Sequence, residues 1–125
     1  MRQLKRSRLS TYYVKNRTTE KNNEGVTTDI YSEAFSVRGE IWPATSKRQV
    51  EMYGDRITNI SNMRITGRYT ITLAGKNVIS VLLEDGGVIK PGDGICVLAG
   101  PDQDPDYRVL SITPYKPLKM EIERI

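Results

Sequence analysis

The chain has 125 residues, of which 27% are charged and 38% hydrophobic, the balance of one globular domain able to bury its own core. It contains no histidine and a single cysteine. That composition removes Ser-His-Asp and Cys-His nucleophile systems, the usual catalytic zinc sets and any intrachain disulfide.

Charge is uneven along the chain. Seven basic residues and two acids fall in residues 1–24, so that stretch carries +5 while the remainder carries −1. Residues 1–8 read as a basic N-terminal arm in which Arg2, Lys5, Arg6 and Arg8 are placed to tether a protein partner or DNA. The arm is not followed by an apolar run of signal-peptide type, and no stretch approaches the roughly 20 apolar residues of a membrane helix. Neither secretion nor a membrane partner is therefore expected. Cys96, within Ile95-Cys96-Val97-Leu98, reads as a buried strand thiol in a reducing compartment.

The folded part opens with a strand over 9–15, where Tyr12, Tyr13 and Val14 supply β propensity. Residues 16–25 read as polar connection, with Asn22-Asn23-Glu24-Gly25 as the turn. Strands follow over 26–31 and 35–42. In the second, Val37, Gly39 and Ile41 share one face, and Gly39 predicts a bulge or bend. Pro43 keeps Trp42 out of helical geometry and ends that strand.

A short helix is signalled over 46–53. Ser46 and Gln49 have capping-box spacing, and Gly54 stands at the C′ position. The helix has few apolar residues, and Lys47 and Arg48 lie in its first turn, where the helix dipole disfavours positive charge. The sequence permits a helix here without insisting on one, and leaves open whether 46–62 is ordered before a partner binds it.

Residues 55–62 read as loop. The clearest period-two alternation spans 63–73 and predicts one long strand. Further strands are expected over 78–84, 88–89, 95–98, 107–113 and 118–125, with turns at Asp85-Gly86-Gly87 and Pro91-Gly92 and a bend bracketed by Pro114 and Pro117. The chain is thus expected to be mainly β: a small antiparallel β-barrel or sandwich with one short helix or long loop inserted between strands. Residues 9–125 form the single domain and 46–62 its insertion.

Motifs for chemistry are weak. Asp102-Gln103-Asp104-Pro105-Asp106 has the alternating carboxylates of a calcium loop, but Tyr107 and Thr113 stand where that loop needs Gly and Glu. Gly87 to Gly92 has phosphate-loop spacing, but Asp93-Gly94 replaces the required Lys-Ser/Thr. Basic and aromatic residues interleave at Arg8, Tyr12, Tyr13 and Lys15 and again at Arg64, Arg68 and Tyr69, the elements of a single-strand-binding surface but also ordinary strand formers. No catalytic, cofactor or metal site is expected, and the chain reads as a non-enzyme.

The order of features resembles the phage head-completion or head-tail joining proteins, the stopper family of long-tailed phages. The resemblance is carried by the early strand and polar hairpin, the strand ending in Trp42-Pro43-Ala44, the polar segment with Arg48, Glu51 and Gly54, and the late strand Asp106-Tyr107-Arg108-Val109-Leu110-Ser111-Ile112. It implies a structural protein of a phage or prophage virion, assembled in the host cytoplasm. Such a protein forms a ring, twelvefold by resemblance, that joins portal and adaptor to the tail and helps close the channel on packaged DNA. Lys47, Arg48, Glu51, Met52, Tyr53, Asp55 and Arg56 would then make subunit or channel contacts. Two alternatives stay open: a tail-side ring of tail-terminator type, and a small nucleic-acid-binding β-barrel.

Overall fold

A computed structural model describes residues 9–75 and 77–125. The basic arm with Arg2, Lys5, Arg6 and Arg8 lies outside the described residues. In chain order the first strands are β1 (Ser10–Lys15), β2 (Arg17–Lys21), β3 (Thr27–Tyr31) and β4 (Phe35–Pro43). Helix α1 (Lys47–Tyr53) and a 3-10 turn (Gly54–Asn59) lead into β5 (Ile60–Ile65). Then come β6 (Tyr69–Ala74), β7 (Asn77–Leu83), β8 (Val88–Ile89), β9 (Gly94–Cys96), β10 (Tyr107–Thr113) and β11 (Leu118–Arg124).

Six of these strands close an antiparallel barrel in the order β1-β4-β5-β11-β10-β9. The expected mainly β class, with one short helix between strands, is what the chain adopts. Period-two alternation fills the barrel. Leu118, Met120 and Ile122 of β11 point inward beside Ile65 and Met63 of β5, while Lys119, Glu121 and Glu123 point outward. Val14 and Ile95 face each other across β1 and β9 and are fully buried. Two excursions leave the barrel: the hairpin β2–β3 and the sheet β6-β7-β8. Val81, Leu83 and Ile89 of that sheet join the same hydrophobic core.

Several expectations are corrected by the structure. Gly39 makes no bulge: its register with Ser10 and Ile65 is regular. A Cβ at that position would lie 2.1 Å from the Arg64 carbonyl oxygen, so glycine there permits close approach of β4 and β5. The irregularity falls instead between Val109 and Ser111, and it lets both Val109 and Ile112 reach the core despite their odd spacing.

The long strand predicted over 63–73 is two strands. Gly67 adopts φ +100° and redirects the chain out of the barrel after β5. The expected loop over 55–62 is a 3-10 turn followed by the first residues of β5, so residues 60–62 belong to the barrel and not to the insertion. Arg17–Lys21, read as polar connection, is a strand whose residues are all exposed. No burial pattern could betray it. The strand expected over 95–98 stops at Cys96, because the Asp106 carboxylate accepts the amides of Val97 at 2.8 Å and Leu98 at 2.9 Å.

Candidate assembly surface

The helix starts as its sequence predicts. Ser46 caps it by accepting the Gln49 amide at 3.2 Å, and its hydroxyl also donates to the Gln49 side-chain oxygen at 3.0 Å. Gly54 closes it at φ +55°.

What the sequence did not reveal is how firmly this segment is held. Gln49 is only 7% exposed. Its Nε2 donates to Asn62 Oδ1 at 2.7 Å and to Glu121 Oε2 at 2.9 Å, tying α1 across the outer faces of β5 and β11. Glu121 also accepts the Ser111 hydroxyl at 2.9 Å. Burial pushes the Glu121 carboxyl up, but hydrogen bonds from Gln49, Ser111 and Tyr53 outweigh it, and the net shift is downward. Tyr53 moves the opposite way, raised by burial and by the Glu121 charge.

The second tie is ionic. Arg56 donates through Nε and Nη2 to the two oxygens of Glu123, both at 2.9 Å, and Arg108 Nη2 reaches Oε1 at 2.6 Å. Glu123 is buried, and the hydrogen bonds from Arg56 and then Arg108 lower its pKa to about 2. The Arg56 guanidinium also lies 5.7 Å from the Tyr53 ring centre. The segment whose order the sequence leaves open is therefore docked, with its own polar staples on the barrel wall.

This docking divides the seven residues expected to make contacts. Tyr53 and Arg56 are engaged with Glu121 and Glu123. Lys47, Arg48, Glu51, Met52 and Asp55 are exposed. Arg48 and Met52 line a small polar recess of about 130 Å³ with Tyr115, Lys119 and Glu121. Sequence reasoning missed Gln49, Asn62, Glu121 and Glu123. The signal for the two glutamates was present, because the alternation of β11 puts both on the outer face.

A third tie anchors the β2–β3 hairpin. Asp93 is 1% exposed and sits in the turn between β8 and β9. Its Oδ1 accepts the Arg17 amide at 2.9 Å, and its Oδ2 accepts Asn16 Nδ2 at 2.9 Å and the Lys90 amide at 2.8 Å. The residue that spoils a phosphate-loop match is thus the anchor of a turn and a hairpin.

In the loop after β9, Asp106 is occupied by backbone amides while Asp102 and Asp104 are exposed. Among the described residues no group of His, Cys, Asp or Glu is arranged to hold a metal ion. A recess of about 340 Å³ between the barrel and β6–β8 is lined by Arg38, Arg68, Glu84 and Asp85 among others, so its charge selects neither an anion nor a cation. Burial pushes the Cys96 thiol up, in keeping with an inert strand cysteine. Comparison with protein families, with curated proteins and with solved structures returns no match.

Proposed function

We propose that the chain is a non-enzymatic structural subunit of a phage or prophage head-tail connector, forming a ring that joins portal or adaptor to tail and helps close the DNA channel. One observation carries the proposal. The barrel is closed and presents no open edge of its own, while a docked insertion holds Lys47, Arg48, Glu51, Met52 and Asp55 outward on its wall. A mixed-charge set held in place on the wall, with Arg48 and Met52 bordering a recess of only about 130 Å³, suits a subunit contact better than a substrate site, since ligand pockets usually run to about 300–1,000 Å³. Ring contacts are heterologous, so the complementary patch lies elsewhere on the subunit. The exposed Asp102 and Asp104 supply a candidate acidic patch for a basic partner surface.

The test is charge reversal of Arg48→Glu together with Glu51→Lys in the phage or prophage that carries the gene. Both side chains are exposed, so the purified variant should melt within about 2 °C of the wild type. Infection should then give heads and tails that do not join or do not retain DNA. Normal particle yield from the folded variant would overturn the proposal.

A further inference from the structure

The sheet β6-β7-β8 has two edges of unlike character. On the β8 side, the Val88 carbonyl accepts Asn16 Nδ2 at 2.6 Å and the Lys90 amide is taken by Asp93. On the other side β6 is the terminal strand, and among the described residues no strand covers it. Natural edges are usually blunted by charge, proline or a bulge in the edge strand. Tyr69-Thr70-Ile71-Thr72-Leu73-Ala74 contains no charge and no proline, and its only irregular pairing is with β7 near its end. Ile71 and Leu73 are 36% and 52% exposed.

The phase of the hydrogen bonding decides which groups are free. Glu84 donates its amide to the Arg68 carbonyl at 3.0 Å, so the polar groups of Arg68 face β7. The Leu83 amide goes the other way, to the Gly87 carbonyl at 2.8 Å. By alternation, Thr70 and Thr72 also turn their amides and carbonyls to β7, and those of Tyr69, Ile71 and Leu73 face the open edge.

We infer that β6 is a self-pairing edge: two copies of this chain join β6 to β6 antiparallel about a two-fold axis through Ile71, merging two three-stranded sheets into one of six strands. The register follows from the free groups. Centred on Ile71, each outward amide and carbonyl meets its counterpart, with Ile71 opposite Ile71 and Tyr69 opposite Leu73 of the second copy. Thr70 faces Thr72, and aromatic–aliphatic and Thr–Thr neighbours are favourable cross-strand pairs. Arg68 falls opposite Ala74, so no like charges meet in the ladder. Centring on Thr72 instead would leave outward groups of Tyr69 without partners in the strand.

A second copy is favoured over an unrelated strand because the edge is uncharged and matches itself in register and phase. The ladder is about 20 Å long and one strand wide, near the lower limit for specific interfaces. The dimer is accordingly weak and concentration-dependent. The inference rests on the fold and not on the connector reading, since no residue of α1 takes part in the β6 pairing.

Sedimentation velocity on the full chain from about 10 μM to 1 mM tests it, with circular dichroism as the check on folding. Wild-type protein should shift from monomer to dimer across this range. Ile71→Lys and Ile71→Glu should each be folded monomers at 1 mM, because identical charges meet on the axis. An equimolar mixture of the two should recover the dimer, because only a register that faces residue 71 with itself turns the two defects into a pair. A wild type that stays monomeric, with β6 amides exchanging freely, would overturn the inference and leave the edge to a strand from another protein. A dimer insensitive to both variants, or variants that fail to rescue one another, would overturn it as well.

Discussion

Asp93 is the residue whose replacement tests most directly how the excursions are held to the barrel. In Asp93→Asn the shape is kept but one acceptor oxygen becomes an NH2 group. If the remaining oxygen serves Asn16 and the Lys90 amide, the new NH2 confronts the Arg17 amide, donor against donor. At least one buried donor then has no acceptor, at about 1–3 kcal/mol, and the two retained bonds lose the strength that an ionised acceptor confers. The total is about 2–4 kcal/mol. For a chain of 125 residues this corresponds to a fall in melting temperature of about 8–16 °C. Thermal melts by circular dichroism and calorimetry measure it, and amide exchange should accelerate first at Arg17 and Lys90. Asp29→Asn is the control: its contact with Arg17 is 3.7 Å long and half exposed at both ends, and its loss should leave the melt unchanged. A melting temperature for Asp93→Asn within about 2 °C of the wild type, with those amides still protected, would show that the carboxylate does not hold the hairpin.

Two further outcomes follow from the barrel wall. Glu123 titrates at about 2 when folded, below its ordinary 4.5, so its contribution is complete above pH 4.5 and is lost as the pH falls toward 2. Because Arg56 and Arg108 are each more than half exposed, screening trims that contribution to about 1–2 kcal/mol. Denaturant melts should show Glu123→Gln less stable than wild type at pH 7, with the gap closing between pH 4.5 and 2; a gap independent of pH would refute the assignment. At Gly39, alanine would put a Cβ 2.1 Å from the Arg64 carbonyl and force β4 from β5. Gly39→Ala should cost about 2 kcal/mol or more, read as a lower urea midpoint, and a midpoint equal to the wild type would remove the close-approach argument.

The barrel was legible because one-sided burial leaves period-two alternation in much of β4 and in β11, and the helix because its cap residues are local. β2 was not legible, since a strand exposed throughout carries no alternation, and the acceptor of its first amide is a carboxylate 76 residues away. The start of β5 was hidden because Asn62, a polar residue, is buried beneath α1 where Gln49 satisfies it. A residue-by-residue reading scores Asn62 as loop. Gly67 was read within an unbroken alternation, and only its positive φ shows that the pattern continues while the chain leaves the barrel. The docking of α1 was out of reach for a similar reason: its partners lie on strands separated in sequence, and a polar tether looks like a solvated face until the acceptor is placed.

That docking changes the physical case for 46–59 as a functional surface. A loose insertion would have to be ordered when it bound, at roughly 1–2 kcal/mol of backbone entropy per residue, and would bind correspondingly weakly. Here Gln49 and Arg56 fix the segment on Glu121 and Glu123 during folding, so the exposed side chains of Lys47, Arg48, Glu51, Met52 and Asp55 stand on a backbone that is already placed. Only their own rotamers remain to be ordered, at about 0.5–1.5 kcal/mol for each that is immobilised. In the ring proposed above, each repeated contact would benefit from this saving and could be small and polar. Deleting residues 47–61 would not isolate the surface, because it also removes Ile60 from the wall of β5, where it is almost wholly buried. Substitution of the exposed charges, with Gln49 and Arg56 left in place, separates the surface from the fold that carries it.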